Sequence, residues 1–269
     1  MTNKSNPKIN SIESCAILNN GVAMPVLGLG TWNLKGQELL KTINESIEIG
    51  YRHFDTATYY RNEEDLGKAL KLTEIPREQI FVTTKVWPSD FGYQETIKAF
   101  ETNLKKLDLD YVDQYLIHWP SDTTRTHATW KALLKLYEQG KCRSIGVSNF
   151  SIQELEALKE LGDVVPATNQ VQFNPFSFKG KLLDYCNKEG IKLVAYSPLN
   201  EGRRLNDKTI ISIAKKYNKT VAQVLLRWNL EHGLITIPKT AKKERLLENS
   251  QIFDWELSKE DVNALNTLK

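Results

Sequence analysis

Tyr51-Arg52-His53-Phe54-Asp55-Thr56-Ala57-Thr58-Tyr59-Tyr60 is the stretch whose reading decides the fold. Tyr51 to Phe54 reads as a short strand entered through Gly50, and helical periodicity resumes near Asn62. Turns favour Gly, Pro, Asn and Ser, yet this one carries a carboxylate at Asp55 and a phenol at Tyr60. Taken alone, the segment describes a helix cap beside core aromatics as well as it describes a functional strand end. If the strand belongs to a barrel, Asp55 and Tyr60 stand in the mouth where the other strand ends converge.

The flanking chain supplies those other strands. Apolar runs at Val26–Leu29, Ile80–Thr84, Val112–Ile117, Arg143–Val147, Thr168–Phe173, Leu193–Tyr196 and Leu234–Ile237 alternate with helical stripes. Such stripes are Leu39, Leu40, Ile43 and Ile47, then Ile97, Phe100, Leu104 and Leu107, then Trp130, Leu133, Leu134 and Tyr137. Ser151-x-x-Glu154 and Thr220-x-x-Gln223 open two further helices as capping boxes, the second with Val221, Val224, Leu225 and Trp228 on one face. Ahead of all this, Ala16–Leu18 and Val22–Val26 flank Asn19-Asn20-Gly21, a hairpin signal. With Tyr51–Phe54 the run predicts a (β/α)₈ TIM barrel of the α/β class, preceded by an N-terminal β-hairpin. A doubly wound sheet would carry G-x-G-x-x-G after its first strand. Gly28-x-Gly30 is followed by Asn33 where the third glycine belongs, so the barrel is favoured.

Composition bounds the rest. The chain has 269 residues, 41% hydrophobic and 26% charged, enough for one domain over 1–269 with a polar lead-in over 1–14. A net charge of +3 gives no reason to expect nucleic acid or a membrane as partner. Cys15, Cys142 and Cys186 are scattered, so neither a disulfide framework nor a zinc knuckle is expected. Met1–Asn10 lacks the apolar run of a signal peptide, and a cytoplasmic monomer is the expectation.

In a barrel, chemistry collects where the strands end. Those positions hold Gly30-Thr31-Trp32, Asp55, Lys85-Val86-Trp87, His118-Trp119, Ser148-Asn149, Gln170, Tyr196-Ser197 and Lys239-Thr240. A lone His there is more often hydrogen-bonded filler, a Lys is usually solvated, and a Trp is usually core. A lysine, a histidine, a carboxylate and a phenol on one rim make a functional rim the better reading.

The same residues resemble the aldo-keto reductase family. The resemblance rests on Gly-Thr-Trp at 30–32, Asp55-Thr56-Ala57 with Tyr60, Thr84-Lys85, and Leu116-Ile117-His118-Trp119-Pro120. Gly146-Val147-Ser148-Asn149-Phe150, Asn169-Gln170, Tyr196-Ser197-Pro198-Leu199 and Ile237-Pro238-Lys239-Thr240 complete it. It runs from about Ile17 to the C-terminus and looks most like the short prokaryotic members, which include the 2,5-diketogluconate reductases.

That resemblance implies metal-free reduction of aldehydes and ketones, methylglyoxal or 2,5-diketogluconate among them, by hydride transfer from NADPH. Tyr60 would be the general acid. Its phenol, ordinarily near ~10, would be lowered by Lys85, with Asp55 holding the ammonium. His118 would donate to the substrate oxygen. Thr31, Trp32, Ser148, Asn149, Gln170, Tyr196, Ser197 and Leu199 would contact the cofactor, and Lys239, Thr240, Arg245 and Asn249 its 2′-phosphate. Trp32, Trp87, His118 and Trp119 would wall the substrate slot. Asn200-Glu201-Gly202 departs from the family, which usually has Gly directly after the Leu; Asn tolerates the left-handed backbone such a turn needs. A short connection after Tyr196, and a chain stopping at Lys269 without the longer members' C-terminal loop, lead to an expected broad substrate range. Two rivals remain: a Schiff-base aldolase using Lys85, and a non-catalytic NADPH-binding protein.

Overall fold

A computed structural model describes residues 9–268. Of the expected lead-in, 1–8 lie outside the described residues, whereas Ile9 and Ile12 pack against the core. Strands β1 (Cys15–Ile17) and β2 (Ala23–Pro25) pair antiparallel across Asn19-Asn20-Gly21, where Gly21 takes φ 85°. This is the hairpin the sequence predicts.

The chain then alternates. In order come β3 (Leu29–Gly30), α1 (Gly36–Ile49), β4 (His53–Asp55), α2 (Glu63–Lys71), β5 (Phe81–Val86), α3 (Tyr93–Leu107) and β6 (Val112–Ile117). There follow α4 (Thr123–Glu138), β7 (Cys142–Ser148), α5 (Ile152–Lys159), β8 (Thr168–Gln172), α6 (Gly180–Lys188) and β9 (Lys192–Tyr196). The last elements are α7 (Lys208–Tyr217), α8 (Val221–Glu231), β10 (Ile235–Thr236), α9 (Lys243–Ser250) and α10 (Lys259–Asn266). Strands β3 to β10 pair parallel in sequence order. Val26 O accepts from Thr236 N and Gly28 N donates to Thr236 O, both at 2.9 Å, so β10 returns to β3 and the sheet is a closed (β/α)₈ barrel. Closure excludes the open doubly wound sheet.

The first barrel segment pairs on both sides, Val26 and Gly28 with β10 and Leu29 and Gly30 with β4. Gly28 meets the barrel interior: a Cβ there would lie 2.4 Å from His53 Nδ1. The glycines at 28 and 30 thus serve packing at the closure, which explains why they do not extend to a dinucleotide fingerprint.

Helix starts follow local chemistry. Both predicted capping boxes form, Ser151 with Glu154 and Thr220 with Gln223. The apolar stripes turn inward, and Phe100, Trp130 and Trp228 are fully buried. Each such side chain stabilises the fold by roughly 1.5–3 kcal/mol. No helix among the described residues is long and apolar enough to cross a membrane.

Candidate active site

At the C-terminal ends of the strands lies a cavity of about 850 Å³, within the range of small-molecule sites. Most of the predicted site residues line it: Trp32, Asp55, Tyr60, Trp87, His118 and Trp119, together with Lys239, Thr240, Arg245 and Asn249. Ser148, Asn149, Gln170, Tyr196, Ser197 and Leu199 line it as well. Two do not reach it. Lys85 is buried behind Tyr60, and Thr31 is buried with its hydroxyl donating to Asp55 O at 2.9 Å. Thr31 holds the end of β4 and does not face the cavity.

Strand ends bring the polar groups together. Lys85, on β5, donates from Nζ to Asp55 Oδ1 at 2.6 Å and to Thr56 O at 2.8 Å, and reaches Tyr60 Oη at 3.4 Å. Burial alone would lower the Lys85 ammonium, but Asp55 and then Tyr60 outweigh it and hold it above the usual lysine value. Burial pushes the Tyr60 phenol up, against the downward pull of Lys85. The sequence expectation of a lowered phenol is therefore corrected: desolvation, invisible in a linear chain, outweighs the cation. Burial, with Lys85 second, drives His118 down to about 2, so its imidazole is neutral at any ordinary pH. His118 meets the Tyr60 ring edge-on with centroids 5.7 Å apart. A buried phenol backed by an ammonium, beside a neutral imidazole, is a set able to hand a proton to a carbonyl oxygen.

The central wall is cross-linked. Ser148 Oγ donates to Gln170 O at 2.8 Å, Asn149 Nδ2 to His118 O at 3.2 Å, and Tyr196 Oη to Asn149 Oδ1 at 2.9 Å. Past β9, the chain passes through Ser197, Asn200 and Glu201, all with positive φ (45°, 49° and 55°). Asn200 tolerates this conformation as predicted. Glu201 does so at a cost of order 1–2 kcal/mol. Glu201 and Leu205 line the cavity, so even the short connection supplies part of its wall.

Arg245 and Asn249 share one face of α9, with Thr240 just before the helix. Neither Lys239 nor Arg245 has an acidic partner within ion-pair distance among the described residues. Two cations free of ion pairs among the described residues, on the wall of one cavity, suit a phosphate.

Sequence reasoning missed Tyr59, Leu205, Val221 and Glu248, which also line the cavity. Tyr59 stacks on Trp87 and on Trp32. Its position beside Tyr60 in one tight turn was the available signal. Val221 and Glu248 arrive on helix ends that no local pattern assigns to the mouth.

Comparison with known proteins agrees with this geometry. The model of the Aldo/keto reductase family matches residues 26–269. Glyoxal reductase of Bacillus subtilis (strain 168) is 47% identical over 259 residues, covering 96% of this chain and 94% of that protein. Methylglyoxal reductase DkgA of Yersinia pestis is 42% identical over 255 residues, covering 93% and 91%. The crystal structure of an aldo/keto reductase from Brucella melitensis superposes with a TM-score of 0.91 at 45% identity, covering 95% of this chain and 99% of that one.

Proposed function

The chain belongs to the aldo/keto reductase family, and from that premise we propose that it reduces small carbonyl compounds to alcohols with NADPH, α-dicarbonyls such as glyoxal and methylglyoxal foremost. The observation that carries this reading is the Tyr60 phenol, backed by the buried Lys85–Asp55 pair and set beside His118, in a cavity that Lys239 and Arg245, without an ion-pair partner among the described residues, also line. The similarity to a glyoxal reductase and a methylglyoxal reductase supports the substrate class.

The residues present fit the cofactor. Lys239, Thr240, Arg245 and Asn249 would hold the 2′-phosphate, Ser197 and Leu199 the pyrophosphate, and Ser148, Asn149 and Gln170 the carboxamide, with Tyr196 against the ring. Bound NADPH supplies the hydride. The chain's own groups handle the oxygen. His118 donates its N–H to the carbonyl oxygen and polarises it, remaining neutral because burial opposes its charge. Tyr60 gives its hydroxyl proton to that oxygen as negative charge develops. Lys85 then stabilises the phenolate left behind, and Asp55 keeps the ammonium aimed at it.

Lys85 as a Schiff-base nucleophile fits the geometry less well. That role needs a neutral, reachable amine, whereas Lys85 is wholly buried, saturated by three acceptors and held charged. The test is NADPH oxidation with glyoxal, methylglyoxal and a panel of sugars, ketoacids and aromatic aldehydes. Turnover of the dicarbonyls is the expected result. Absence of NADPH oxidation with every carbonyl would overturn the reading.

A further inference from the structure

Tyr59 is a tyrosine that the proposed chemistry does not use. Its ring stacks on Trp87 with centroids 4.0 Å apart and planes 18° apart, and on Trp32 at 5.5 Å and 9°. Among the described residues Trp32 and Trp87 make no ring contact with each other, but each touches the reacting pair edge-on. Trp32 meets Tyr60 at 4.9 Å, and Trp87 meets His118 at 5.0 Å. The three rings thus form a row beside Tyr60 and His118 with Tyr59 as its middle member.

The backbone holds Tyr59 there. It sits in the tight turn Thr58–Tyr60, where Tyr60 N donates to Ala57 O at 3.0 Å and Thr58 Oγ1 donates to Lys85 O at 2.9 Å. Arg61, at φ 55°, closes the turn. The turn that places the Tyr60 hydroxyl therefore also places the Tyr59 ring, and none of these bonds uses the Tyr59 side chain. Among the described residues that ring makes no side-chain hydrogen bond; it lines the cavity and is 47% exposed. A residue held this way acts by shape.

We infer that Tyr59 is a specificity-determining residue that fills the aromatic slot between Trp32 and Trp87. A flat aryl group on the substrate carbon would stack in that slot, and Tyr59 already occupies it. Compact carbonyl compounds of two or three carbons reach Tyr60 and His118 without needing it. The inference rests on the carbonyl-reductase reading and deepens it: the site discriminates for short aliphatic dicarbonyls and against aryl aldehydes.

The experiment compares kcat/KM for methylglyoxal and 4-nitrobenzaldehyde, at saturating NADPH, in the wild type, Tyr59→Ala and Tyr59→Phe. Opening an apolar slot of this kind shifts discrimination by roughly tenfold or more. Tyr59→Ala is expected to raise the aryl-to-methylglyoxal ratio by that factor, chiefly through a lower KM for the aryl aldehyde. Tyr59→Phe, which keeps both stacks, is expected to retain the wild-type ratio. An unchanged ratio in Tyr59→Ala, a parallel fall for both substrates, or a Tyr59→Phe shift as large as that of Tyr59→Ala overturns the inference. Benzamide binding to the NADPH-loaded protein, followed by tryptophan fluorescence, reads the slot without turnover. It should tighten in Tyr59→Ala, and failure to tighten overturns the inference as well. A wild type that oxidises NADPH with neither aldehyde counts against the reductase reading; the benzamide result still decides the slot.

Discussion

Gln170 and Asp55, 115 positions apart in the chain, meet at 2.6 Å, with Gln170 Nε2 donating to Asp55 Oδ2. Lys85 takes the other carboxylate oxygen, so both lone-pair faces of Asp55 are occupied by donors. Replacing the amide by a carboxyl would set two acids on one proton. In Gln170→Glu one of them must stay protonated, which raises its folded-state pKa above the unfolded glutamate value of about 4.3. The sign follows: a raised folded pKa contributes stability at low pH that is lost as pH rises through it. The variant's Tm, relative to wild type, is expected to fall between pH 5 and 8, roughly where such a pair titrates. A constant Tm difference across that range would contradict the close Asp55–Gln170 contact.

Tyr60→Phe removes the proton donor and little shape. Turnover with methylglyoxal is expected to drop ~10² to 10⁴-fold, while NADPH affinity measured by fluorescence stays near wild type. Since His118 is neutral down to about 2, the wild-type kcat/KM profile should show no break at the ordinary histidine value of about 6.5. It should fall only on the alkaline side, as the phenol ionises. Activity surviving in Tyr60→Phe would move the acid role elsewhere in the cavity.

Arg245→Ala tests the phosphate end. A charge-assisted hydrogen bond contributes ~1.5–3 kcal/mol, or roughly tenfold to a hundredfold in affinity. The variant should lose that factor for NADPH and little for NADH. Equal weakening of the two would show that Arg245 does not read the 2′-phosphate.

Acid should destabilise the barrel before most carboxylates titrate. Burial lowers His53 to about 4 and His118 to about 2. A depressed folded-state value means stability is full above the unfolded histidine pKa and is lost as pH falls below it. Each residue should cost about 2 kcal/mol by pH 5, from its shift out of the unfolded value near 6.5. Urea unfolding as a function of pH measures the sum over the buried histidines, His232 with its own burial-lowered value included, and His118→Gln should make the slope shallower. An unaltered slope in that variant would show that His118 carries none of it.

Much of this protein was legible in local sequence. Apolar runs of strand length and helical stripes such as Phe100 and Leu107 announce alternating βα units, since strand and helix periodicity depend on nearby residues. Capping boxes at Ser151 and Thr220 start helices through bonds spanning three residues, and both form. Asp55, Tyr60, Lys85 and His118 were visible as candidates because strand ends of a barrel share one rim. Closure was decided elsewhere. The pairing of Val26 and Gly28 with Thr236 joins segments from opposite ends of the chain, and only the closed sheet makes Gly28 yield space to His53. Tertiary structure alone turned Thr31 away from the cavity, set Gln170 on Asp55, and laid Tyr59 against Trp32 and Trp87. It also reversed the sign at Tyr60. The charge of Lys85 is written in the sequence, but the loss of water that outweighs it exists only after the barrel has folded around both.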